Sequence, residues 1–314
     1  MSEKVAMVGI VGRTNAGKST LVNALVGEKV SIVSPVEQTT RNTVRGIVSD
    51  ERGQLVLLDT PGLHKAVGQL GRLLNRMARR SAAGTDITCV VFDAAEPPQL
   101  EDIGWMQRVA KEQPEKVVFV LNKADKTPFF EEEYHAAWQE ALAGGDQPST
   151  FNLRPSTSNL QLVWVKATAS TEGGAKAVGD ALFELAEEGE KLFDDDIVTD
   201  YPRKLAIADI IREKYIAKLF QELPHELGIV VRRIQERGEE WKISAEAIVN
   251  RESQKPMAIG RKAAIVKAVR KAAEKEISAT FDVKASLSLE VVVQRNWMKN
   301  ERLLTEMGYL GELV

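Results

Sequence analysis

The sequence has few reactive or cross-linking side chains. Its 314 residues include one cysteine, Cys89, and three histidines. A single thiol excludes an intramolecular disulfide and therefore the disulfide-stabilised scaffold of small secreted proteins. Cys89 lies in an apolar run, so we interpret it as a small buried hydrophobe rather than a nucleophile.

Long hydrophobic segments are also missing. No stretch reaches the roughly 18 apolar residues of a membrane-spanning helix, and Met1–Lys4 lack a signal-peptide pattern. We therefore expect a cytoplasmic protein. Hydrophobic residues make up 44% and charged residues 28% of the chain, which is typical of a globular protein with a sizeable core. The length suggests two domains.

Charge is distributed unevenly along the chain. The formal net charge is only −3, but residues 251–275 carry eight lysines and arginines against two glutamates. Such an excess in an acidic protein indicates an anionic partner, although a solvated helix face would give the same pattern. The basic residues are Arg251, Lys255, Arg261, Lys262, Lys267, Arg270, Lys271 and Lys275.

The segment Gly12–Ser19 reads G-x-x-x-x-G-K-S, the spacing of a phosphate-binding loop. An apolar run typical of a buried strand precedes it, and a helical pattern follows. Backbone N–H groups and a helix N-terminus would converge on phosphate oxygens there. A glycine-rich turn with a chance lysine is the alternative, and the spacing and flanks favour the phosphate loop. The expected nucleotide-binding residues are Gly12, Asn15, Ala16, Gly17, Lys18, Ser19 and Thr20.

Two later segments should complete the phosphate and magnesium site. Asp59 and Gly62 follow a strand-like run, where a carboxylate can hold magnesium and a backbone N–H can bond the γ-phosphate. Thr40, in Gln-Thr-Thr-Arg, is the expected hydroxyl ligand; the neighbouring Thr39 and a threonine-rich strand start without a ligand role are the alternatives. We predict that Ser19, Thr40 and Asp59 bind the metal, and that Lys18, Thr40 and Gly62 serve catalysis.

A third group of residues predicts guanine specificity. Asn122, Lys123 and Asp125 form N-K-x-D at a strand end. The Asp125 carboxylate can accept from guanine N1–H and from the exocyclic amino group, a donor pair that adenine lacks, while the Lys123 stem can lie on the base. A polar loop is the alternative. Thr168-Ala169-Ser170 follows another strand-like run and is expected to meet guanine O6 through a backbone N–H.

Short apolar runs alternate with helical patterns, for example from Leu70 to Ala83, between residue 1 and about 188, which predicts a doubly wound, mostly parallel sheet. A Gly/Pro/Ser-rich stretch at 144–159 indicates a surface insertion. After an acidic, proline-ended segment the order becomes a helix over about 203–223, two strands, a basic helical stretch over about 259–277 and a final strand, typical of a small α+β domain. We predict domains at 1–190 and 201–314, joined by a linker at 191–200.

These motifs, with Asp-Thr-Pro-Gly-Leu-His at 59–64, resemble the Era branch of the translation-factor-related GTPases. The resemblance implies an α/β P-loop GTPase domain followed by a type II KH domain. It implies that Asn15 helps to bind potassium beside the phosphates; a purely structural role in the loop is the alternative. Leu63 stands where many GTPases carry a water-orienting glutamine, so hydrolysis must use another route. His64 is interpreted as a switch residue rather than a base.

The second domain contains Ile259-Gly260-Arg261-Lys262-Ala263, which resembles the I-G-x-x-G loop with which KH domains clamp single-stranded RNA. Ala263 replaces the second glycine, and we expect its methyl group to narrow the phosphate approach or to forbid a positive φ. The expected RNA-binding residues are Lys255, Gly260, Arg261, Lys262, Ala263 and Lys267.

The resemblance implies a GTP-hydrolysing switch that needs Mg²⁺, binds the 3′ region of small-subunit ribosomal RNA and assists maturation of the pre-30S particle. We expect a monomer. One alternative is an RNA chaperone with slow or vestigial GTPase activity. Another is a membrane-associated or tRNA-modifying GTPase of the same branch. The absence of a terminal cysteine argues against tRNA modification, whereas the basic region leaves peripheral binding to the inner face of the membrane open.

Overall fold

The computed structural model describes residues 3–33, 41–62, 74–75, 84–144, 160–219 and 223–310. Contacts divide the chain into two units. The first holds the described residues up to Ser31 and those from Thr43 to Asp200. The second holds residues 201–310 together with four described residues from earlier in the chain, namely Ile32, Val33, Arg41 and Asn42. The break after Asp200 falls at the end of the predicted linker.

The first unit is built on a mostly parallel sheet. Its strands are β1 (Lys4–Val11), β2 (Val44–Asp50), β3 (Gly53–Asp59), β4 (Ile87–Asp93), β5 (Lys116–Asn122) and β6 (Gln161–Lys166). They lie in the order β2-β3-β1-β4-β5-β6, and a short β7 (Glu187–Glu188) pairs with β1. Only β2 and β7 pair antiparallel in this sheet as described. The sequence analysis did not predict the edge strand β2.

Helices cover both faces of this sheet. On one face, α1 (Lys18–Val26) and α4 (Glu172–Leu185) pack in a core that includes Cys89. On the other, α2 (Leu100–Glu112) and α3 (Glu131–Ala143) pack against Val90 and Phe92. Neighbouring residues of β4 thus enter opposite cores, as the two-residue repeat of a strand requires. Burial raises the pKa of Cys89 to about 12, so this thiol is a core hydrophobe, as predicted.

The parallel strands end at one edge of the sheet, and this edge positions the polar residues. Asp59 pairs with Ile10 across β3 and β1, and Asp93 pairs with Asn122 across β4 and β5. Ligands of open α/β sheets bind at the carboxyl ends of the strands. The fold therefore collects the predicted nucleotide residues at this edge.

Two predicted segments fall largely outside the described residues. Of the helix expected from Leu70 to Ala83, only Leu74 and Asn75 are described, and both are helical. Of the insertion at 144–159, only Gly144 is described, and it ends α3. No helix in the described part of the chain is long and apolar enough to cross a membrane.

The second unit is a three-stranded sheet with helices on it. Its elements are α5 (Arg203–Ile216), α6 (Leu223–Glu226), β8 (Gly228–Arg237), β9 (Glu240–Val249), α7 (Lys255–Ile259), α8 (Ala264–Phe281), β10 (Lys284–Val293) and α9 (Glu301–Glu306). Strand β9 pairs antiparallel with β8 and parallel with β10, and the core contains Trp241, Val269 and Ile277. This is the predicted α+β order.

Two helix boundaries differ from the sequence-based prediction. The helix expected over 203–223 ends at Ile216, because the N–H groups of Lys218 and Leu219 both turn back to Tyr215 O at 2.9 Å and close the last turn. The basic helical stretch expected over 259–277 is interrupted. Gly260 has φ +76° and ψ 164°, a non-helical conformation that separates α7 from α8.

Arg41 and Asn42 belong to the core of the second unit, although they lie far from it in the sequence. Arg41 is 1% exposed and its Nη1 donates to Leu227 O at 2.8 Å. Asn42 Nδ2 donates to Tyr201 Oη at 2.7 Å and to Met307 O at 3.1 Å. In the sequence these two residues follow Thr40, the predicted magnesium ligand. The chain returns to the first unit at Thr43.

Candidate nucleotide site and RNA-binding loop

The phosphate loop joins β1 to α1. Gly17 has φ +102°, and a Cβ atom there would lie 2.2 Å from Asn122 Nδ2, so this position requires glycine. Lys18 Nζ donates to Gly12 O at 3.2 Å and to Arg13 O at 2.7 Å. Burial lowers the pKa of Lys18 to about 8, and the nearby Asp59 carboxylate opposes that shift. The lysine is thus held at the loop itself.

The remaining predicted loop residues surround this lysine. Ala16 is fully buried, Asn15 is exposed and has φ +62°, and Thr20 lies half-buried in the first turn of α1. The backbone N–H groups of this turn have no intrahelical acceptors, which is the usual arrangement for binding an anion. The local geometry therefore fits a phosphate group.

Ser19 and Asp59 form a pair of oxygen ligands beside the loop. Ser19 Oγ donates to Asp59 Oδ2 at 2.6 Å. Asp59 is fully buried, and burial raises its pKa against the opposing effects of Ser19 and Lys18. Its Oδ1 has no hydrogen-bond donor among the described residues. A buried carboxylate and a hydroxyl are hard ligands that suit Mg²⁺. Thr40, the third predicted ligand, lies outside the described residues.

Gly62 comes close to the phosphate loop. A Cβ built on it would lie 2.7 Å from Thr14 N and 2.9 Å from Lys18 Nζ. The structure therefore brings Gly62, Lys18 and Asp59 together, as a γ-phosphate sensor would require. Leu63 and His64 lie outside the described residues.

The predicted base-binding residues are also adjacent. Asn122 Nδ2 donates to Ala16 O at 2.8 Å, and Asn122 Oδ1 accepts from Ala169 N at 2.8 Å. The pKa of Asp125 is lowered, first by a hydrogen bond from Lys126 and further by one from Thr168. Asp125 is thus an anionic acceptor beside Thr168. Ser170 is exposed at the end of this segment.

Sequence analysis missed three charged residues next to this site, Arg13, Asp93 and Asp102. They form buried ion pairs between the phosphate loop, the end of β4 and α2. The position of Asp93 at the end of a predicted parallel strand was an available signal, because Asp59 and Asn122 occupy equivalent positions.

The second candidate site is the loop between α7 and α8. A Cβ on Gly260 would lie 2.8 Å from Ile265 N, so only glycine fits. Lys262 and Ala263 also have positive φ angles, +53° and +60°. The expectation that the methyl group of Ala263 forbids a positive φ is therefore wrong: the residue adopts the left-handed conformation that the surrounding turn imposes. The narrowing of the phosphate approach stays a prediction.

Cationic side chains flank this loop. Arg261, Lys262 and Lys267 are exposed, and Lys255 is half-buried. Helix α8 turns Val269, Ala273 and Ile277 into the core, which leaves Arg270, Lys271 and Lys275 on the surface. Among the described residues, no carboxylate lies within 4.0 Å of the charged groups of Arg261, Lys262, Lys267, Arg270, Lys271 or Lys275. The region is thus a cationic surface next to the predicted RNA-binding loop.

Comparison with known proteins identifies the family. Residues 7–123 match the model of the 50S ribosome-binding GTPase family, and residues 222–298 match a KH domain family. A curated GTPase Era from Rippkaea orientalis is 34% identical over 306 residues, which cover 98% of this chain and 92% of that protein. This chain belongs to the Era family of GTPases. A GTPase Era from Caldanaerobacter subterraneus is 33% identical over 98% of this chain and 99% of its own length.

Solved Era structures agree with this assignment. A crystal structure of Era in complex with MgGDPNP and nucleotides 1506–1542 of 16S ribosomal RNA is 30% identical, with a TM-score of 0.83 over 98% of this chain and 99% of that one. An Aquifex aeolicus Era variant bound to GDP·AlF4⁻ has the same identity, TM-score and coverage. Membership of the Era family confirms the predicted P-loop GTPase domain, the KH domain after it and GTPase activity.

Proposed function

We propose that this Era-family GTPase is a GTP-dependent switch that binds the 3′ region of small-subunit ribosomal RNA through its KH domain and assists maturation of the 30S subunit. The solved relative holds that region of 16S ribosomal RNA together with a magnesium-bound GTP analogue. One observation carries the proposal. The same chain contains the Ser19–Asp59 ligand pair beside a phosphate loop and an exposed cationic loop after Gly260.

The nucleotide chemistry follows from the placement of the first-unit residues. Lys18 and the backbone N–H groups at the start of α1 bind and orient the β- and γ-phosphates. Ser19 and Asp59 would hold Mg²⁺, which, when bound, offsets negative charge on the transferring phosphate. The N–H of Gly62 senses the γ-phosphate, so its bond is lost after hydrolysis. Asp125 and Lys123 select and cover the guanine base.

Water activation needs a different device, because Leu63 cannot polarise water. A monovalent cation next to the phosphates would stabilise the charge that develops during hydrolysis. Asn15, exposed at the rim of the loop, is the proposed side-chain ligand for potassium. Thr40 would complete the magnesium ligands in the triphosphate state.

The RNA-binding surface is proposed to centre on the loop from Gly260 to Ala263. Gly260 lets the chain turn closely against Ile265 at the start of the loop, and Arg261, Lys262 and Lys267 supply exposed positive charge. Lys255 lies at the start of α7, just before the loop. These contacts neutralise phosphates, so RNA affinity should fall as salt concentration rises.

The experiment compares RNA affinity in two nucleotide states. A fluorescent RNA of the 3′ small-subunit region is titrated with full-length protein loaded with GDPNP or with GDP. We expect tighter binding with GDPNP, because a switch requires unequal affinities. Lys262→Glu should weaken binding in both states. The matched control is Lys242→Glu, which reverses the charge of an exposed lysine near the start of β9, whereas the Gly260 loop follows the end of that strand. Equal RNA affinity with both nucleotides would contradict the switch.

The alternative of an RNA chaperone with slow or vestigial GTPase activity predicts a different result. Its RNA affinity would not depend on nucleotide, and multiple-turnover GTP hydrolysis would be absent with and without RNA.

Cytoplasmic location and peripheral membrane binding both stay predictions. Flotation of the protein with anionic vesicles, in competition with RNA, tests whether the cationic surface also meets lipid.

A further inference from the structure

A chain of ion pairs starts in the phosphate loop at Arg13. Its Nη2 atom lies 2.8 Å from Glu96 Oε2 and 3.4 Å from Asp93 Oδ2, and its Nε atom lies 3.2 Å from Asp102 Oδ2. The Arg13 side chain is 15% exposed, whereas those of Asp93 and Asp102 are 5% and 0% exposed. The guanidinium therefore lies between two buried carboxylates and the exposed carboxylate of Glu96.

The same Asp93 oxygen also holds the base-binding lysine. Lys123 Nζ lies 2.5 Å from Asp93 Oδ2. Asp93 thus receives one cation from the phosphate loop and another from the N-K-x-D loop. Lys123 has φ +64°, so its backbone is left-handed, and the Asp93 carboxylate holds the end of its side chain.

A second layer fixes the carboxylates. Asp102 Oδ2 accepts from Gln99 N at 3.0 Å and lies 3.2 Å from Tyr134 Oη. Tyr134 Oη also donates to the backbone carbonyl of Asp93 at 2.9 Å. Buried carboxylates are unfavourable unless they are paired and hydrogen-bonded. Here the bonds join the phosphate loop, β4, α2 and α3 into one network.

We infer that Asp93 and Asp102 are positioning residues for guanine recognition. Asp93 holds Lys123 and, through it, the loop that presents Asp125 to guanine, and Asp102 keeps Arg13 against Asp93, so that the phosphate loop and the base loop are held in one geometry. This inference rests on the proposed binding of GTP at this site. A purely structural role would lower stability and would weaken all nucleotides equally. A positioning role would instead reduce the part of the binding free energy that comes from guanine, so that GDP affinity falls more than ADP affinity.

The test measures discrimination between bases in the full-length protein. GDP and ADP compete with a fluorescent GDP for the wild type and for Asp93→Asn. We expect the variant to bind GDP about tenfold more weakly, the usual effect of losing one charge-assisted bond, and ADP to change by less than about twofold. At saturating GTP, kcat should stay unchanged while KM rises. The control is Asp180→Asn, which loses ion pairs with Arg52 and Lys176 on a remote helix surface.

The outcomes separate this inference from the proposed function. A wild type with no preference for GDP over ADP contradicts guanine binding itself. A wild type that prefers GDP, beside an Asp93→Asn protein with the same preference, overturns the positioning role. If Asp93→Asn does not fold, Asp102→Asn provides the measurement. It should reduce the GDP-to-ADP preference by about threefold through Arg13, and an unchanged preference would overturn the inference.

Discussion

Asn122 Nδ2 donates to the carbonyl oxygen of Ala16 at 2.8 Å, which ties the guanine loop to the phosphate loop. The other end of the same amide accepts from Ala169 N at 2.8 Å. Asn122 is 3% exposed, so neither bond can be replaced by water without rearrangement. One side chain therefore sets the spacing of three nucleotide-binding segments.

Substitution Asn122→Ala should weaken GDP binding by about 10- to 100-fold, because it leaves two buried backbone groups without partners. Competition binding with a fluorescent GDP measures the loss. The matched control is Gln54→Ala, since the buried amide of Gln54 bonds the backbone of Leu192 and Phe193 on the same unit. That variant should lower thermal stability and keep GDP affinity. Equal losses in the two variants would show that Asn122 acts only through stability.

Substitution Asp125→Asn should exchange guanine for xanthine as the preferred base. The new amide still accepts from N1–H and its NH₂ group can donate to the xanthine 2-oxo oxygen, but it would face the guanine amino group with another donor. GDP affinity should fall about 100-fold while XDP affinity rises. Lys126→Ala removes the exposed partner of Asp125 and should change GDP affinity by less than about twofold. Retained guanine preference in Asp125→Asn would refute the assignment.

The stability of the first unit should depend on the protonation of Asp102. Burial raises the pKa of Asp102 to about 6; the N–H of Gln99, the charge of Arg13 and the hydroxyl of Tyr134 oppose this shift, and Glu101 adds to it. The folded protein therefore keeps a proton that the unfolded chain has released, and stability falls as pH rises from about 4 to about 6. At neutral pH the charged carboxylate therefore lowers the free energy of unfolding by about 3 kcal/mol, compared with a carboxyl group whose pKa is the same in the folded and unfolded states.

Asp102→Asn should remove this penalty. Urea unfolding should show a variant more stable than the wild type by about 1–3 kcal/mol at pH 7.5 and similar to it at pH 4. The same variant is expected to discriminate less well between GDP and ADP, so a loss of affinity could not be attributed to unfolding. A variant less stable than the wild type at pH 7.5 would mean that the charged form of Asp102 supports the fold.

Substitution Ala263→Gly should stabilise the second unit. Ala263 has φ +60° and ψ +29°, a left-handed conformation that costs about 1 kcal/mol more for alanine than for glycine. The free energy of unfolding should rise by up to this amount, and RNA affinity should be kept or increased. Gly260→Ala is the opposing case, because its new Cβ would clash with Ile265. Destabilisation by Ala263→Gly would be inconsistent with strain at this position.

Potassium should accelerate GTP hydrolysis through Asn15. At equal ionic strength, the wild type should turn over GTP at least about tenfold faster in potassium than in sodium. A potassium ion held by Asn15 would supply the positive charge that an arginine finger supplies in other GTPases. Asn15→Ala should reduce the potassium rate to the sodium rate. GDP affinity serves as the control and should change by less than about twofold. Equal wild-type rates in the two salts would exclude the cation.

The sheet and the nucleotide motifs could be predicted from the sequence because they depend on local patterns. Buried parallel strands read as continuous apolar runs, and each motif lies next to the strand that positions it. Strand β2 was missed because its segment, Val44–Asp50, mixes apolar and polar residues and pairs at the edge. The end of α5 was also missed, since the last turn depends on a backbone bond pattern and not on composition.

The charge network could not be predicted, because its members meet only in the folded chain. Arg13 and Asp102 are distant in sequence, and each alone is typical of an exposed residue. The left-handed conformation of Ala263 was likewise decided by the surrounding turn and not by alanine's own preference. The motif residues could thus be located from the sequence, whereas the residues that support them could not.

The burial of Arg41 and Asn42 in the second unit has a consequence for domain exchange. Arg41 donates to Leu227 O, and Asn42 donates to Tyr201 and Met307, although both residues precede β2 in the chain. A fragment that stops at residue 200 would lose those acceptors and expose a guanidinium that is 1% exposed in the whole protein. Recombination that joined this KH-containing unit to another GTPase at a single junction after residue 200 would discard part of its core. The unit can therefore be inherited intact only together with Arg41 and Asn42.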